Sequence, residues 1–321
     1  MLKSYLGNKL KLQYPFSTIL NTFLFRVIKK NDGIIFMLHR VATFDKEGLL
    51  PNENMKVSPE FLCQLILKYK KRGVFFASLD DVYLHQTKVK KIPCPFVCFT
   101  LDDGYLDNYE IAYPIFKEHN VPFAIYLTSG FPNHTAILWW YIIEELILKH
   151  KKIQLSSGEI LDCLDKEAKT QSFLRLRHKI ISFGAQDLAS KLRILLSNYE
   201  LDLYSKVKEL SMSWDQVKQI SQDSLCTIGG HSVNHPAFNT LTKEQMSFEV
   251  RQNKQEIEDY TKKDVSHFAY PYGSKYEVGE REFEMMKDFG FDTITLAYGG
   301  GISKKNNRFT ALPRLFLENS L

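Results

Sequence analysis

Short apolar runs alternate with longer amphipathic stretches along most of this chain. "GIIFML" (33–38), "PFVCFTL" (95–101), "VPFAIYL" (121–127), "CTIGG" (226–230), "SHFAY" (266–270) and "DTITLAY" (292–298) have the length of buried strands. Between them, "SPEFLCQLILKYKKRG" (58–73), "YLDNYEIAYPIFKEHN" (105–120), residues from about Thr242 to Thr261 and "EREFEMMKDFG" (280–290) space their apolar residues at helical period. Strands that are continuously apolar are buried on both faces, and strand–helix–strand rhythm builds parallel sheets with helices outside. The pattern predicts an α/β fold, a distorted barrel of parallel strands. A last apolar run, "RFTALPRLFL", closes it.

The rhythm stops between about Gly130 and Leu210. "LWWYIIEELILKHKK", "EAKTQSFLRLRHKIISFG" and "AQDLASKLRILLS" are helical in pattern, with loops around 153–165. A helical insertion at about 131–211 is therefore expected to interrupt a barrel domain of residues 31–321. Residues 1–30 mix lysine and arginine with Leu20, Phe23, Leu24 and Phe25, the composition of a basic amphipathic helix. Such a segment either lies on an anionic membrane face or packs on its own domain.

No run approaches the roughly 20 apolar residues of a spanning helix, and the N-terminus does not read as a secretory signal. The five cysteines are odd in number and four lie in apolar stretches, which fits thiols in a reducing compartment. Cys94 and Cys98 are four apart without a second pair, a poor match to a zinc finger. These features place the chain in the cytoplasm, with peripheral contact to the inner membrane face open to the N-terminal segment. The net charge of +5 is interleaved along the chain and predicts no nucleic-acid footprint.

In parallel barrels the chemistry gathers at the C-terminal ends of the strands. Three polar clusters fall there: Asp102-Asp103-Gly104, "HSVNHP" with His231 and His235, and Pro271-Tyr272-Gly273. Two histidines four apart can face one cation, and two histidines with one carboxylate form a recurring set for a divalent metal. Adjacent aspartates point in different directions near a strand end. One can then reach the metal while its neighbour takes a proton from an attacking water. The competing reading of Asp102-Asp103 is a solvated turn.

"TLDDG", "HSVNH" and "YPYG", in this order, resemble the first three motifs of the polysaccharide deacetylase (NodB-like) domain of carbohydrate esterase family 4. "FMLHRV", "VSPEFLCQL", "MSWDQVKQI" and "LPRLFL" resemble its branch found in bacterial surface-polysaccharide biosynthesis. The likeness covers about residues 33–130 and 212–317. It implies a distorted (β/α) barrel and a metal-dependent hydrolase, one that removes an acetyl group from an N-acetylated sugar of a surface polysaccharide or its lipid-linked precursor. The metal implied is Zn2+, with Co2+, Mn2+ or Ni2+ as alternatives. Asp102 corresponds to the general base, and Asp103, His231 and His235 to metal ligands. Ser232 would hold the histidine loop. Tyr272 would offer its backbone N–H to the oxyanion, with Pro271 and Gly273 shaping the substrate side.

Three positions depart from that pattern. Leu101 replaces a phenylalanine, Ala269 stands where an arginine braces the base, and the late Leu-x-His that supplies the acid is absent. Arg314 in "LPRLFL" is the candidate brace from another strand, or else a surface residue. His39, ending the first strand, is the candidate acid, or else lines the pocket. Trp139 and Trp140 either stack on a sugar or anchor the insertion. His267 reads as a core residue, and His85, His119, His134, His150 and His178 as surface ones. Two other functions fit the same residues: hydrolysis of small non-sugar amides, and glycan binding by a degenerate, non-catalytic homologue.

Overall fold

The computed structural model describes residues 31–184, 186–303 and 308–318, so the N-terminal amphipathic segment expected at 1–30 lies outside the described residues. Seven parallel strands form a closed barrel: β1 (Gly33–Leu38), β2 (Phe96–Asp103), β3 (Phe123–Leu127), β4 (Cys226–Gly230), β5 (His267–Ala269), β6 (Thr293–Gly299) and β7 (Leu312–Phe316). They pair in chain order. β7 then returns to β1 with Phe36 opposite Leu315, and β1 also pairs β2 from Gly33 opposite Phe96. Closure leaves the barrel strands without free edges.

Alternation along the strands divides the core. Ile34, Phe36 and Leu38 of β1, with Val97, Phe99 and Leu101 of β2, pack outward among the surrounding helices. Phe96, Cys98, Ala124, Tyr126, Ala269 and Leu312 fill the interior. A period of two therefore carries Cys98, Thr100 and Asp102 along the inner face of β2.

The helices outside include α1 (Pro59–Lys71), capped by Ser58, and α2 (Leu79–Gln86), whose Ser78 and Asp81 form a capping box. α3 (Tyr113–Glu118) is preceded by a π turn at Asn108–Ala112. The insertion packs α4 (Trp139–Lys149), α5 (Lys166–Ile181) and α6 (Leu188–Leu195) around its own apolar cluster, while α7 (Ser205–Leu210) packs Val207 with Tyr105 and Phe131. After it come α8 (Trp214–Ser221), α9 (Lys243–Thr261) and α10 (Glu280–Met285).

The elements differ from the sequence reading in several places. β2 runs through both aspartates instead of stopping at Leu101, because Asp102 and Asp103 continue the ladder opposite Tyr126 and Leu127. The loops expected at 153–165 contain an antiparallel hairpin, Lys152–Gln154 with Ile160–Asp162. Only every second residue of those strands is buried, too little to register as an apolar run. The helix expected at 105–120 opens with the π turn. The helix α2 was not anticipated, since its polar sequence "LDDVYLHQ" has only a weak apolar stripe.

No described helix is long and apolar enough to cross a membrane.

Candidate active site

The C-terminal ends of β2, β4, β5 and β7 meet around two buried carboxylates. Asp102 and Asp103 are 2% and 3% exposed. Asp102, on the inner row of β2, receives both terminal nitrogens of Arg314 from β7, Nη1 to Oδ1 at 2.6 Å and Nη2 to Oδ2 at 2.7 Å. Arg314 is itself buried, and it also donates to Leu296 O at 2.8 Å and Thr100 Oγ1 at 3.1 Å. It is not a surface residue. A forked guanidinium fits a carboxylate at two points, which fixes orientation as well as charge.

Asp103 takes the opposite direction. Its φ of 77° lies in the left-handed region, a conformation that non-glycine residues seldom adopt. Ser232, His235 and Tyr272 share that conformation, at φ 67°, 55° and 59°. Such strain collects where surrounding structure holds a functional geometry. Asp103 Oδ1 is buried without a hydrogen-bond partner among the described residues, and lies 3.4 Å from His231 Nε2 and 3.3 Å from His235 Nε2.

The loop carrying the histidines is held from α9. Asn253 Oδ1 accepts from the His231 N–H at 3.0 Å, while its Nδ2 donates to Leu127 O and Ser232 O. One turn earlier, Glu249 accepts from the N–H groups of Val233 and Asn234, each at 2.9 Å. Ser232 Oγ accepts from the His235 N–H at 3.0 Å. Gly230 is required here, because a Cβ would stand 2.6 Å from Asn253 Oδ1. His231 Nδ1 faces the carbonyl of Ala269 at 2.7 Å, so Nδ1 donates and the ring is held with Nε2 toward Asp103.

This donor set fits a divalent cation. The three ligand atoms lie within 4.8 Å of one another, and the unsatisfied Asp103 oxygen is aimed at both imidazoles. Burial raises the Asp103 pKa, but the neighbouring His235 and His231 outweigh it and hold the carboxyl well below its usual range. Burial likewise raises Asp102, and Arg314 brings it below the usual value. Both carboxylates are ionised at neutral pH.

His39 follows β1 at the rim. Its Nδ1 is buried without a partner among the described residues, and its ring meets Phe316 edge-on at 5.9 Å. Burial lowers its pKa, against Asp103 and Asp102, which raise it. Asn108 of the π turn donates to the His39 carbonyl at 2.8 Å, fixing the backbone there.

Tyr272 lies beside the histidine pair, its ring 4.7 Å from that of His235. Pro271 accepts from the Gly273 N–H at 2.6 Å, making the turn that carries it. Trp139 is 4% exposed and donates from Nε1 to Tyr272 Oη at 3.3 Å, so it joins the insertion to the barrel. Trp140 is half-buried, donates to Tyr105 Oη at 3.0 Å and meets His235 edge-on at 5.6 Å. With Ile180 and Leu188 of the insertion, Trp139, Trp140, His235 and Tyr272 line one cleft.

Sequence reasoning missed Glu249 and Asn253, and nothing in the helix pattern of α9 marks them. It also placed His85 at the surface, whereas that side chain is 7% exposed and packs on Phe96. His267 is buried as expected, bonded to Thr293 Oγ1 and Asp80.

Residues 89–294 match the sequence model of the polysaccharide deacetylase family. The fold is similar to that of the Streptococcus pyogenes deacetylase PplD, solved with acetate, with a TM-score of 0.59 and 16% identity over 89% of this chain and 92% of that one. It is also similar to IcaB from Ammonifex degensii, with a TM-score of 0.55 and 17% identity over 89% and 92%. A de-N-acetylase from Aggregatibacter actinomycetemcomitans gives a TM-score of 0.57 and 16% identity over 90% and 96%. No curated sequence is significantly similar to this chain.

Proposed function

The chain belongs to the polysaccharide deacetylase family, and on that premise we propose that it is a metal-dependent hydrolase removing the acetyl group from an N-acetylated sugar of a bacterial surface polysaccharide or its lipid-linked precursor. The observation that carries this reading is the pairing of two environments on adjacent residues. Asp103 turns toward two histidines with an unsatisfied oxygen, while Asp102 is clamped by Arg314.

Asp103, His231 and His235 would hold the cation, zinc being the first candidate for one carboxylate and two imidazoles. A divalent ion bound there polarises the amide carbonyl and lowers the pKa of a water. Asp102 accepts the proton of the attacking water. Arg314 keeps that carboxylate ionised and aimed, the task of the arginine that Ala269 replaces. The Tyr272 N–H would donate to the developing oxyanion, a contribution typically worth roughly 2.7–4 kcal/mol of barrier. His39 returns a proton to the leaving amine. Burial keeps it neutral at rest, so it takes up a proton from solvent before giving it to the amine, and Asp102 returns the proton of the attacking water to solvent as the site resets.

Acetate release should be measured over a panel of N- and O-acetylated glycans, lipid-linked precursors and small amides, together with metal content. Release from sugar substrates that disappears in Asp102→Asn while the metal is retained supports the proposal. Turnover of small amides alone would replace it with an amidohydrolase. Stoichiometric metal with no turnover on any acetylated compound would make the chain a binding homologue. If this activity is located in the cell, the basic segment at 1–30 is the candidate for attachment to the inner membrane face, testable by vesicle sedimentation of the full chain.

A further inference from the structure

At the opposite end of the barrel, three more ligand-bearing side chains converge. Asp32 directly precedes β1, Cys94 lies two residues before β2, and His85 occupies the last turn of α2. β1 and β2 pair from Gly33 opposite Phe96, and the Phe96 N–H donates to the Asp32 carbonyl at 3.1 Å, so this seam brings Asp32 and Cys94 together. The His85 ring packs edge-on against Phe96 with 5.8 Å between centroids, which directs its Nε2 into the same space.

His85 Nε2 stands 3.8 Å from Asp32 Oδ2 and 3.8 Å from Cys94 Sγ, and the three atoms lie within 4.8 Å of one another. The nitrogen–oxygen separation is too long for a hydrogen bond, whose usual length is about 2.9 Å. Asp32 Oδ2 is nevertheless buried, with no hydrogen-bond partner among the described residues. Tetrahedral ligands bonded at roughly 2.0–2.3 Å to one cation stand roughly 3.3–3.6 Å apart. The observed spacings exceed that by only a few tenths of an ångström. They resemble the 3.3 and 3.4 Å separations of Asp103 from its histidines.

We propose that Asp32, His85 and Cys94 form a second divalent-cation site, separate from the deacetylase centre, that clamps the β1–β2 seam at the N-terminal end of the barrel strands. One carboxylate oxygen, one imidazole nitrogen and one thiolate sulfur suit zinc or cobalt and disfavour magnesium and calcium, which take oxygen ligands. The fourth position is left to water. Two anionic ligands balance the charge of the ion. The Ile92 N–H lies 3.4 Å from His85 Nδ1, which places the imidazole proton on Nε2 before an ion binds. Binding moves this proton to Nδ1, gives up that long contact, and releases the Cys94 thiol proton to solvent. Cys94 is exposed, whereas the other four cysteines are buried, so an ion from solution reaches this thiol first.

Cobalt(II) titration of the full-length protein, followed by near-ultraviolet absorption, tests the proposal independently of any deacetylase activity. Only a sulfur ligand produces a thiolate-to-cobalt charge-transfer band, and Asp103, His231 and His235 include none. The band is expected in the wild type, saturating by two equivalents because the deacetylase centre takes up one, and it should be bleached by zinc. It should persist in Asp103→Asn and vanish in Cys94→Ser and in His85→Gln. Cys94→Ser should leave acetate release within about twofold of wild type and lose part of the rise in Tm that zinc produces. A wild type without the band, or Cys94→Ser that keeps it, overturns the site, and the wild-type spectrum decides even if a variant fails to fold.

Discussion

At Asp102 and Asp103, neighbouring side chains of one type are separated by their partners. Arg314 clamps the first, and two imidazoles surround the second. Removing one member of a buried pair leaves an uncompensated charge, a loss of roughly 3–5 kcal/mol. Arg314→Met is therefore expected to lower the unfolding free energy by that order in urea denaturation. Arg314→Lys keeps the charge without the fork and should lose less stability but most of the activity, because Asp102 is no longer oriented. His39→Gln separates chemistry from structure in the same pocket. If His39 supplies the amine proton, kcat falls by roughly 10²–10⁴-fold with metal content unchanged. A pocket-lining role would raise KM instead.

The elements that hold the site were less legible than the site itself. "TLDDG" and "HSVNH" stand out because acidic and imidazole groups rarely follow buried apolar runs without a task. Arg314 could be singled out as a charge within "LPRLFL", but its partner lies 212 residues away and only barrel closure joins them. Glu249 and Asn253 gave no signal at all. On an amphipathic helix, polar residues four apart look the same whether they face water or a loop. The insertion's hairpin was hidden for a similar reason, since each of its strands buries a single residue. Asn253→Ala would leave the His231 N–H and the carbonyls of Leu127 and Ser232 without their partner. Loss of such outer support typically costs 10–100-fold in metal affinity. Competition titration with a chromophoric chelator should find roughly that weakening in Asn253→Ala, with the barrel still folded by circular dichroism.

Across the whole molecule, the alternation of runs made the α/β class and most strands readable, whereas closure depends on the first and last strands meeting and has no local mark. That closure is also where pH should act. Arg314 on β7 and Asp102 on β2 tie strands that flank β1 on either side, and their ion pair requires an ionised carboxylate. The folded pKa values of Asp102 and Asp103 lie below the usual one, while unfolded aspartate titrates near about 3.9. The unfolded chain thus takes up these protons first as pH falls. Their stabilisation is fully present above the unfolded value and is lost as pH drops through the lower folded ones. Burial raises Glu144 and Glu249, and raises Asp107 despite Arg40. Those groups act in the opposite sense, since they protonate earlier in the folded protein and relieve a cost as pH falls. The total curve therefore mixes both signs, and the difference between two proteins isolates the clamp. Urea unfolding of wild type and Arg314→Met should differ most near neutral pH, and the gap should close as pH falls through the folded Asp102 value. A gap independent of pH would mean that Arg314 stabilises the barrel through Leu296 and Thr100 and not through the carboxylate.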